Sequence, residues 1–453
     1  MTAVREPSRL PLGFAVALDP STRRLDAGTL FGGRPARVLK LSAAGRQALQ
    51  ELADGPIRTP AAAALAARLV DAGAAHPRPP RLRQRPDVTV VIPVRDRAES
   101  LARCLQGLGS RFPVVVVDDG SRDPAAVAAV AARFGARLVV RAVNGGPGAA
   151  RNSGVAEVSS QFIAFLDSDC EPFGDWITPL AAHFADPRLA AIAPRISCDS
   201  DRPSLDLGPL EAPVRPGSVV SYVPTAALLV RRAALPSFDE SLRVGEDVDL
   251  VWRLHEAGWR VRYAPSVRVA HREPATFPEL LRRRYRYGTS AGPLARRHPD
   301  VMAPLLLPPG PAAVATALIA RRPALAAGLW AASTLTLRSR LRRQGVPTAG
   351  AARATATADG LTFLAIGRYF SQFGSPLLVA GLLHRKTRPS ALALLLAPPL
   401  TAWWRRRPAI DPLTFTAVSL TDDVAYGAGV WRSSVRERTS RALLPRRSVE
   451  KAR

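Results

Sequence analysis

The sequence is poor in lysine, in cysteine and in long uninterrupted apolar runs. Only three of its 63 lysine and arginine residues are lysine, and with 37 aspartate and glutamate residues the formal charge is +26. That excess of arginine predicts an anionic partner, which can be nucleic acid, a phosphate-bearing substrate or a membrane surface. Cys104, Cys170 and Cys198 have no Cys-x-x-Cys spacing, which argues against a disulfide framework or a zinc site and favours the reducing cytoplasm.

Several common functional signatures are also absent. Pro11 and Gly13 interrupt the apolar stretch near the amino terminus, so a first strand is expected there rather than an export signal. The glycine-rich segment 144–154 matches neither the dinucleotide-binding fingerprint nor the P-loop. Its glycines would still let backbone N–H groups approach a phosphate. Arg151 in this segment is either a phosphate partner or an ordinary surface arginine.

Residues 1–76 are predicted to form a small module of two strands and two helices. Ser42 is suited to cap the first helix, and Thr59, followed by proline, is suited to cap the second. These elements are typical of a winged helix, although no arginine-rich recognition helix supports DNA binding. A proline-rich, basic linker is expected over residues 77–86.

Residues 87–297 alternate apolar runs with amphipathic helical patterns, which predicts a Rossmann-like, mostly parallel α/β sheet. Ligands of such sheets bind beyond the carboxyl ends of the strands. Acids stand at or just beyond those predicted ends, namely Asp96, Asp118, Asp119, Asp167 and Asp169. In an extended backbone, Asp167 and Asp169 would point the same way and could hold Mg²⁺ or Mn²⁺ with a substrate phosphate. Solvated turn acids are the plainer alternative.

Three further positions have both a chemical and a structural interpretation. Glu246 and Asp247 open a predicted helix, where acids suit the helix dipole and where capping alone would explain them. His271 follows a predicted strand and would ordinarily be a surface or core histidine. Cys104 falls on the apolar face of a predicted helix, so a core position is expected for it.

Together, these segments resemble a family 2 glycosyltransferase of the GT-A fold over about residues 86–286. The segments are VVIPVRDRAESLARCL, VVVVDDGSRD, GGPGAARNSGV, FIAFLDSDCEP, FDESLRVGEDVDLVWRL and VAH, in this order. The resemblance implies that Asp96, Asp118 and Asp119 hold the base and ribose of a nucleotide sugar, with Arg151 and Asp167 also on the donor side. The usual acceptor-loop motif Gln-x-x-Arg-Trp is not visible.

The same resemblance implies a metal site and a catalytic base. Asp169, Asp167 and His271 would hold Mg²⁺ or Mn²⁺ on the donor diphosphate. Asp247 would deprotonate the acceptor, with Glu246 beside it on the acceptor side. The expected reaction is therefore an inverting, metal-dependent hexosyl transfer from a UDP-sugar.

The order of the regions resembles more narrowly the glycosyltransferases of the mycofactocin system, in which a peptide-recognition module precedes the transferase domain. This implies a peptide-derived redox cofactor as acceptor, which can receive several sugars, and UDP-glucose as donor. Two other hypotheses stay open, namely transfer onto a lipid-linked or cell-wall glycan, and a non-enzymatic scaffold for nucleotide or peptide. Nucleic acid is disfavoured, because the arginines cluster among apolar helices rather than with stacking aromatics.

Residues 298–453 form a tail in which apolar stretches alternate with arginine clusters. The uncharged stretches are 301–320, 323–337, 369–384 and 389–404. Prolines break the first, and the others are shorter than the ~20 residues that a spanning helix needs. Apolar helices with basic flanks suit an anionic membrane surface, so peripheral association with the inner face of the cell membrane is expected. An ordinary helical subdomain is the alternative.

Overall fold

The computed structural model describes residues 9–198, 205–273 and 276–447. The outermost residues of the expected module and tail therefore lie outside the described ranges. The chain divides into two compact units, Met1–Glu273 and Pro274–Arg453. The first contains the amino-terminal module and a nine-stranded sheet, and the second is almost wholly helical.

The amino-terminal module consists of two helices, a three-stranded antiparallel sheet and a further antiparallel strand pair. Ser42 and Thr59 cap the helices as expected, because their hydroxyls accept from the N–H groups of Gly45 and Ala62 at 3.2 Å. The winged-helix assignment stays a prediction. The elements are β1 (Ala15–Leu18), β2 (Arg23–Arg24), β3 (Thr29–Gly32), β4 (Arg37–Lys40), α1 (Ala43–Asp54), α2 (Pro60–Asp71) and β5 (Ala75–Arg78).

Strand β5 occupies the beginning of the stretch that was expected to be a linker. It pairs antiparallel with β1, placing His76 opposite Ala17 and Arg78 opposite Ala15. His76 is buried, and its Nε2 lies 2.9 Å from Asp19 Oδ2. Any linker therefore begins after β5, later than the proline and arginine content suggests. The strand was not expected because pairing with a distant strand leaves no local sequence signal.

One sheet organises the remainder of the first unit, in the order β10-β14-β11-β13-β9-β6-β7-β8, with β12 paired to β14. Helices pack against it, and Cys104 lies in the resulting core, as its helical spacing predicts. The elements are β6 (Val88–Val94), α3 (Ala98–Leu108), β7 (Val114–Asp119), α4 (Pro124–Arg133), β8 (Arg137–Arg141), α5 (Pro147–Ala156), β9 (Phe162–Leu166), β10 (Cys170–Pro172), α6 (Ile177–Ala181), β11 (Leu189–Ser197), β12 (Ala212–Pro213), β13 (Ala227–Arg231), α7 (Glu246–Glu256) and β14 (Arg260–His271).

The sheet is mixed, which corrects the expectation of a mostly parallel one. Strands β6 to β9 pair in parallel as predicted, but β13 lies antiparallel between β9 and β11. In the described residues, no α-helix separates β11 from β13, whereas a helix is the usual crossover between parallel strands. Strands β11 and β14 pair in parallel with each other. The last residues of β6, β7, β9 and β14 consequently share one edge of the sheet, called the carboxyl edge below.

The second unit contains helices where the sequence has its apolar stretches. Gly288 on α8 lies against α15, where a Cβ would come within 2.1 Å of the Tyr426 carbonyl oxygen, so only glycine permits this approach. Within the described ranges, no helix is both long and apolar enough to cross a membrane. The elements are α8 (Phe277–Gly288), α9 (Ala291–Arg297), β15 (Leu306–Leu307), α10 (Pro309–Ile319), α11 (Pro323–Arg343), α12 (Ala351–Phe373), α13 (Ser375–Leu383), α14 (Arg388–Arg406), α15 (Pro412–Arg436) and β16 (Arg446–Arg447).

Candidate active site

Asp96 and Asp118 belong to two loops that are tied together at the carboxyl edge. The backbone N–H of Asp96 donates to Ser121 Oγ at 2.9 Å, and Asp96 Oδ1 accepts from the backbone N–H of Arg122 at 2.6 Å. Asp118 is fully buried, and its Oδ1 accepts from the N–H of Ser121 at 3.0 Å. The side chain of Asp96 is 35% exposed. Of these two acids, Asp96 is therefore the more accessible to a ligand.

Asp119 anchors the glycine-rich loop. Its Oδ1 accepts from the N–H of Gly145 and from Arg141 Nε, both at 2.9 Å, and its Oδ2 accepts from the N–H of Gly146 at 2.7 Å. These two N–H groups were expected to approach a phosphate, but here they bind a carboxylate of the chain itself. Asp119 thus fixes the loop that leads into α5, the helix that carries Arg151.

Arg151 is a buried cation held between two acids. Its Nη1 donates to Glu246 Oε1 at 2.8 Å, and its Nη2 donates to Asp167 Oδ1 at 2.6 Å. The side chain is 3% exposed, which excludes the ordinary surface arginine that was one of the two alternatives. These two charge-assisted hydrogen bonds offset part of the cost of burying the guanidinium, whose Nε has no hydrogen-bond partner among the described residues. Arg151 therefore joins α5, the end of β9 and the start of α7.

Asp247 follows Glu246 but, unlike it, forms no ion pair with the described residues. Helix α7 begins after Gly245, whose φ of 85° is in the left-handed region that favours glycine. Asp247 is half-buried, and its Oδ1 accepts from the N–H of Val248 at 2.8 Å. Across the described part of the chain, no basic side chain lies within ion-pair distance of it. Burial and then the charge of Glu246 raise the pKa of Asp247 to about 7, which suits a residue that accepts protons near neutrality.

Asp169 and His271 face each other because β10 pairs with β14, with Cys170 opposite His271. Nε2 of His271 lies 3.6 Å from Asp169 Oδ1. Arg97 Nη1 donates to the other oxygen, Asp169 Oδ2, at 2.6 Å. His271 is buried, and its Nδ1 makes no hydrogen bond within the described residues. A carboxylate oxygen and an imidazole nitrogen thus converge at the carboxyl edge.

Asp167 and Asp169 contact different groups, because the backbone between them turns instead of continuing as an extended strand. Strand β9 ends at Leu166, and the N–H of Cys170 donates to the Asp167 carbonyl oxygen at 3.0 Å, closing a tight turn. The turn directs Asp167 to Arg151, and Asp169 to His271 and Arg97. Asp and Ser are common in turns as well as at strand ends, so the local sequence did not distinguish the two geometries.

The donors at Asp169 and His271 fit a divalent cation with few protein ligands. No arrangement of three or more His, Cys, Asp or Glu side chains suitable for a metal occurs among the residues described. Mg²⁺ commonly binds through one or two carboxylates and completes its shell with substrate phosphates and water. Asp169 with His271 supplies such a partial set. The assignment of Asp167, Asp169 and His271 as metal ligands stays a prediction.

Sequence reasoning missed two arginines that hold the acids in place. Arg97 contacts Asp169, and Arg141 contacts Asp119. Each arginine pairs with an acid from a different part of the chain, separated by 72 and 22 residues respectively. Because arginine is abundant throughout the sequence, neither position stood out, and only the proximity of Arg97 to Asp96 could have drawn attention to it.

Comparison with known proteins identifies the family. A model described as glycosyl transferase family 2 matches residues 89–229, and one described as glycosyl transferase family group 2 matches residues 162–405. The pre-mycofactocin glycosyltransferase of Mycobacterium tuberculosis is 40% identical over 473 residues, covering 97% of this chain and 98% of the relative. The chain belongs to the family 2 glycosyltransferases. The resemblance to the mycofactocin-system transferases is likewise confirmed.

Other similarities of this transferase are weaker. Glycosyltransferase AglE of Haloferax volcanii is 28% identical over 45% of this chain and 72% of the relative. The solved mannosyltransferase PcManGT of Pyrobaculum calidifontis, in complex with GDP-Man and Mn²⁺, is 18% identical with a TM-score of 0.38, covering 70% of this chain and 88% of that chain. The family membership itself confirms an enzyme with a GT-A-like α/β domain, so the non-enzymatic scaffold hypothesis is set aside.

Proposed function

We propose that this transferase moves a hexose, with glucose as the expected sugar, from a UDP-sugar onto a peptide-derived redox cofactor of the mycofactocin type. The 40% identity to a pre-mycofactocin glycosyltransferase, over 97% of the chain, is the observation that supports this acceptor most. The reaction would invert the configuration at the anomeric carbon, and repeated transfer would build an oligosaccharide.

Asp247 is the proposed base. It would take the proton of the acceptor hydroxyl while that oxygen attacks the anomeric carbon and the bond to the diphosphate breaks. Its pKa of about 7 supports this role. The charge of Arg151 lowers the pKa of Asp247 and so limits the effect of burial and of Glu246. Glu246, bound to Arg151, would shape the acceptor side.

Asp169 and His271 are the proposed holders of Mg²⁺ or Mn²⁺, with Asp167 nearby. When bound, such a cation stabilises the negative charge of the departing diphosphate. Arg97 holds the Asp169 carboxylate in position through its second oxygen. His271 is fixed by the pairing of β10 with β14.

On the donor side, we assign a direct role to the exposed acid and indirect roles to the buried ones. Asp96 would contact the nucleoside, because its side chain is accessible and its backbone is tied to Ser121. Asp118 would hold the loop of Ser121, and Asp119 would hold the glycine-rich loop. Of the three acids expected at the nucleoside site, one would thus contact the ligand directly and two would hold the surrounding loops in place.

A second candidate, transfer onto a lipid-linked glycan, is favoured by exposed apolar side chains in the second unit. Leu377, Val379 and Leu383 on α13 are 68%, 56% and 76% exposed. The basic residues Arg385, Lys386 and Arg388 follow directly. Apolar groups beside cations suit an anionic membrane surface. Peripheral membrane association and a cytoplasmic location stay predictions.

The acceptor class can be tested with the purified full-length chain. UDP-glucose and Mn²⁺ would be supplied with either the peptide-derived cofactor or a polyprenyl-phosphate-linked sugar, and products would be weighed by mass spectrometry. We expect hexose addition to the cofactor and none with Asp247→Asn. Addition to the lipid-linked sugar alone would reject the proposed acceptor and support the second candidate.

A further inference from the structure

A cavity of about 200 Å³ lies between the end of α2 in the amino-terminal module and the start of β14. None of the acids assigned to the active site lines it. The proposed chemistry therefore does not use this cavity. The residues around it are Val70, Asp71, Arg188, Pro213, Val214, Arg215, His255, Gly258, Trp259, Arg260, Val261 and Arg262.

The cavity lies at the edge of the sheet opposite to the candidate active site. Arg260, at its wall, begins β14, whereas His271, beside Asp169, ends the same strand of 12 residues. At about 3.3 Å per residue, these two ends are at most about 36 Å apart, because register shifts against β11 shorten the strand. Helix α7 also connects the two places, since Asp247 lies in its first turn and His255, at the cavity, in its last.

The cationic groups around the cavity are only partly neutralised. Arg260 binds Asp71 and Asp186 at 2.9 Å, and Arg262 binds Glu211 at 3.1 Å. Arg215 is different, because its Nη2 donates to the backbone carbonyl of Asp71 and no acid lies within ion-pair distance among the described residues. Burial lowers the pKa of the Arg215 guanidinium, and the charge of Asp71 offsets this effect only in part.

Two other arginines at this cavity each have one donor nitrogen that is unsatisfied among the described residues. Nε of Arg188 and Nε of Arg262 are buried without a hydrogen-bond partner in the described part of the chain. The side chain of Arg262 is 3% exposed. Arg188 Nη1 lies 4.0 Å from Asp71 Oδ2, at the limit of an ion pair. Buried donors without acceptors cost free energy, and an anion in the cavity would supply the missing acceptors.

The size and walls of the cavity restrict the ligand. Its 200 Å³ is below the roughly 300–1,000 Å³ of pockets that hold drug-sized ligands, so a whole nucleotide sugar would not fit. Val70, Pro213 and Val261 contribute apolar wall, and Trp259 contributes a half-buried aromatic ring. The complementary ligand is small and carries one anionic group on an apolar or aromatic body.

We propose that this cavity is a second ligand site, which binds a small organic carboxylate or phosphate through Arg188 and Arg215 and places the body of that anion against Trp259. The site joins the amino-terminal module to the transferase sheet. It stands independently of the acceptor proposed above, because none of the acids proposed for catalysis or for metal binding lines this cavity.

The test is a titration of full-length protein with phenyl phosphate and, separately, with phenylacetate. Trp259 fluorescence and calorimetry would follow binding, with saturating UDP present to occupy the donor site. We expect saturable binding of at least one of the two anions, weakened about tenfold or more by Arg215→Met, since a charge-assisted hydrogen bond is lost. Phenyl phosphate alone would indicate a phosphate ligand, and phenylacetate alone a carboxylate.

Control variants distinguish a specific site from a general attraction of anions to a basic protein. Arg111→Met removes one exposed arginine elsewhere and should bind like the parent, whereas Arg215→Lys should recover part of the affinity. Trp259→Phe should lose the fluorescence change but keep the calorimetric signal. If Arg215→Met fails to fold, Arg188→Met replaces it. The proposal would be overturned if Arg215→Met, or Arg188→Met in its place, bound the anion as tightly as the parent. Displacement of the anion by UDP, or no saturable binding, would overturn it as well.

Discussion

Arg151 Nη1 lies 2.8 Å from Glu246 Oε1, and this contact distinguishes two acids that are neighbours in the sequence. Glu246 is neutralised by a buried cation, whereas Asp247 accepts an N–H of its own helix and keeps a pKa near neutrality. Helix capping alone therefore does not explain the Glu-Asp pair.

Asp247→Asn should abolish transfer without destabilising the fold. The amide keeps the shape but cannot accept the proton, and loss of positioned proton transfer typically costs 10²–10⁴-fold in rate. Turnover, donor affinity and melting temperature would be measured on one preparation. Glu246→Gln is the matched control, in which we expect a loss of roughly 1.5–3 kcal/mol in stability, because Arg151 loses a charged partner. Turnover of Asp247→Asn within a few-fold of the parent would exclude Asp247 as the base.

The pH dependence of transfer should report the raised pKa of Asp247. Only the carboxylate accepts a proton, so kcat/KM should rise as pH increases through about 7. Stability should change in the opposite direction, because the folded protein holds this proton more tightly than the unfolded chain. Relative to Asp247→Asn, the free energy of unfolding of the parent should therefore fall as the pH rises from about 4 to about 7. A pH profile unchanged by the substitution would assign the ionisation to another group.

Asp169→Asn should weaken the binding of divalent cations and slow the transfer reaction. It removes a charge beside His271, and Mn²⁺ and Mg²⁺ titrations with UDP-glucose present would be compared in parent and variant. Glu171→Gln removes a nearby carboxylate that contacts Arg103 and Arg272 instead, so it should behave like the parent. Full activity in excess EDTA, or an Asp169→Asn enzyme as active as the parent, would contradict the metal role.

Asp71→Asn should destabilise the first unit. Arg260 is 7% exposed and binds both oxygens of Asp71 at 2.9 Å, so neutralising Asp71 should cost about 1–3 kcal/mol. Denaturant unfolding would measure this, with Asp54→Asn as the control, because Asp54 is exposed and accepts from Gln50 on its own helix. An effect no larger than that of the control would mean that the module is not held by this pair.

Membrane association should depend on the exposed face of α13. Co-flotation with anionic vesicles is expected for the parent and should weaken when Leu377 and Leu383 are both replaced by serine, since both are largely exposed. Zwitterionic vesicles should bind less, because the adjacent cations attract anionic lipid. Replacing Leu12, an exposed residue of the amino-terminal module, provides the control. If the parent, the double variant and the control floated equally with both kinds of vesicle, a specific membrane-binding surface on α13 would be contradicted.

Much of the site could be located from the sequence because its acids follow apolar runs. The periodicity of those runs predicted strands that end near Asp96, Asp118 and Asp167, and parallel pairing placed these ends at one edge. The helix caps at Ser42 and Thr59 were also predictable, because a cap depends only on residues three positions apart in the chain. Local spacing was sufficient in each case.

The tertiary structure decided which partner each side chain has. Arg151 and Glu246 are 95 residues apart, and Arg97 and Asp169 are 72 apart, so no local pattern could pair them. The turn after β9 gives Asp167 and Asp169 different partners, and β13 lies antiparallel in the sheet. The family and the acids at the strand ends could be recognised from the sequence alone. That Asp247 has no ion-pair partner among the described residues could not be recognised there, because burial and long-range pairing depend on how distant segments pack.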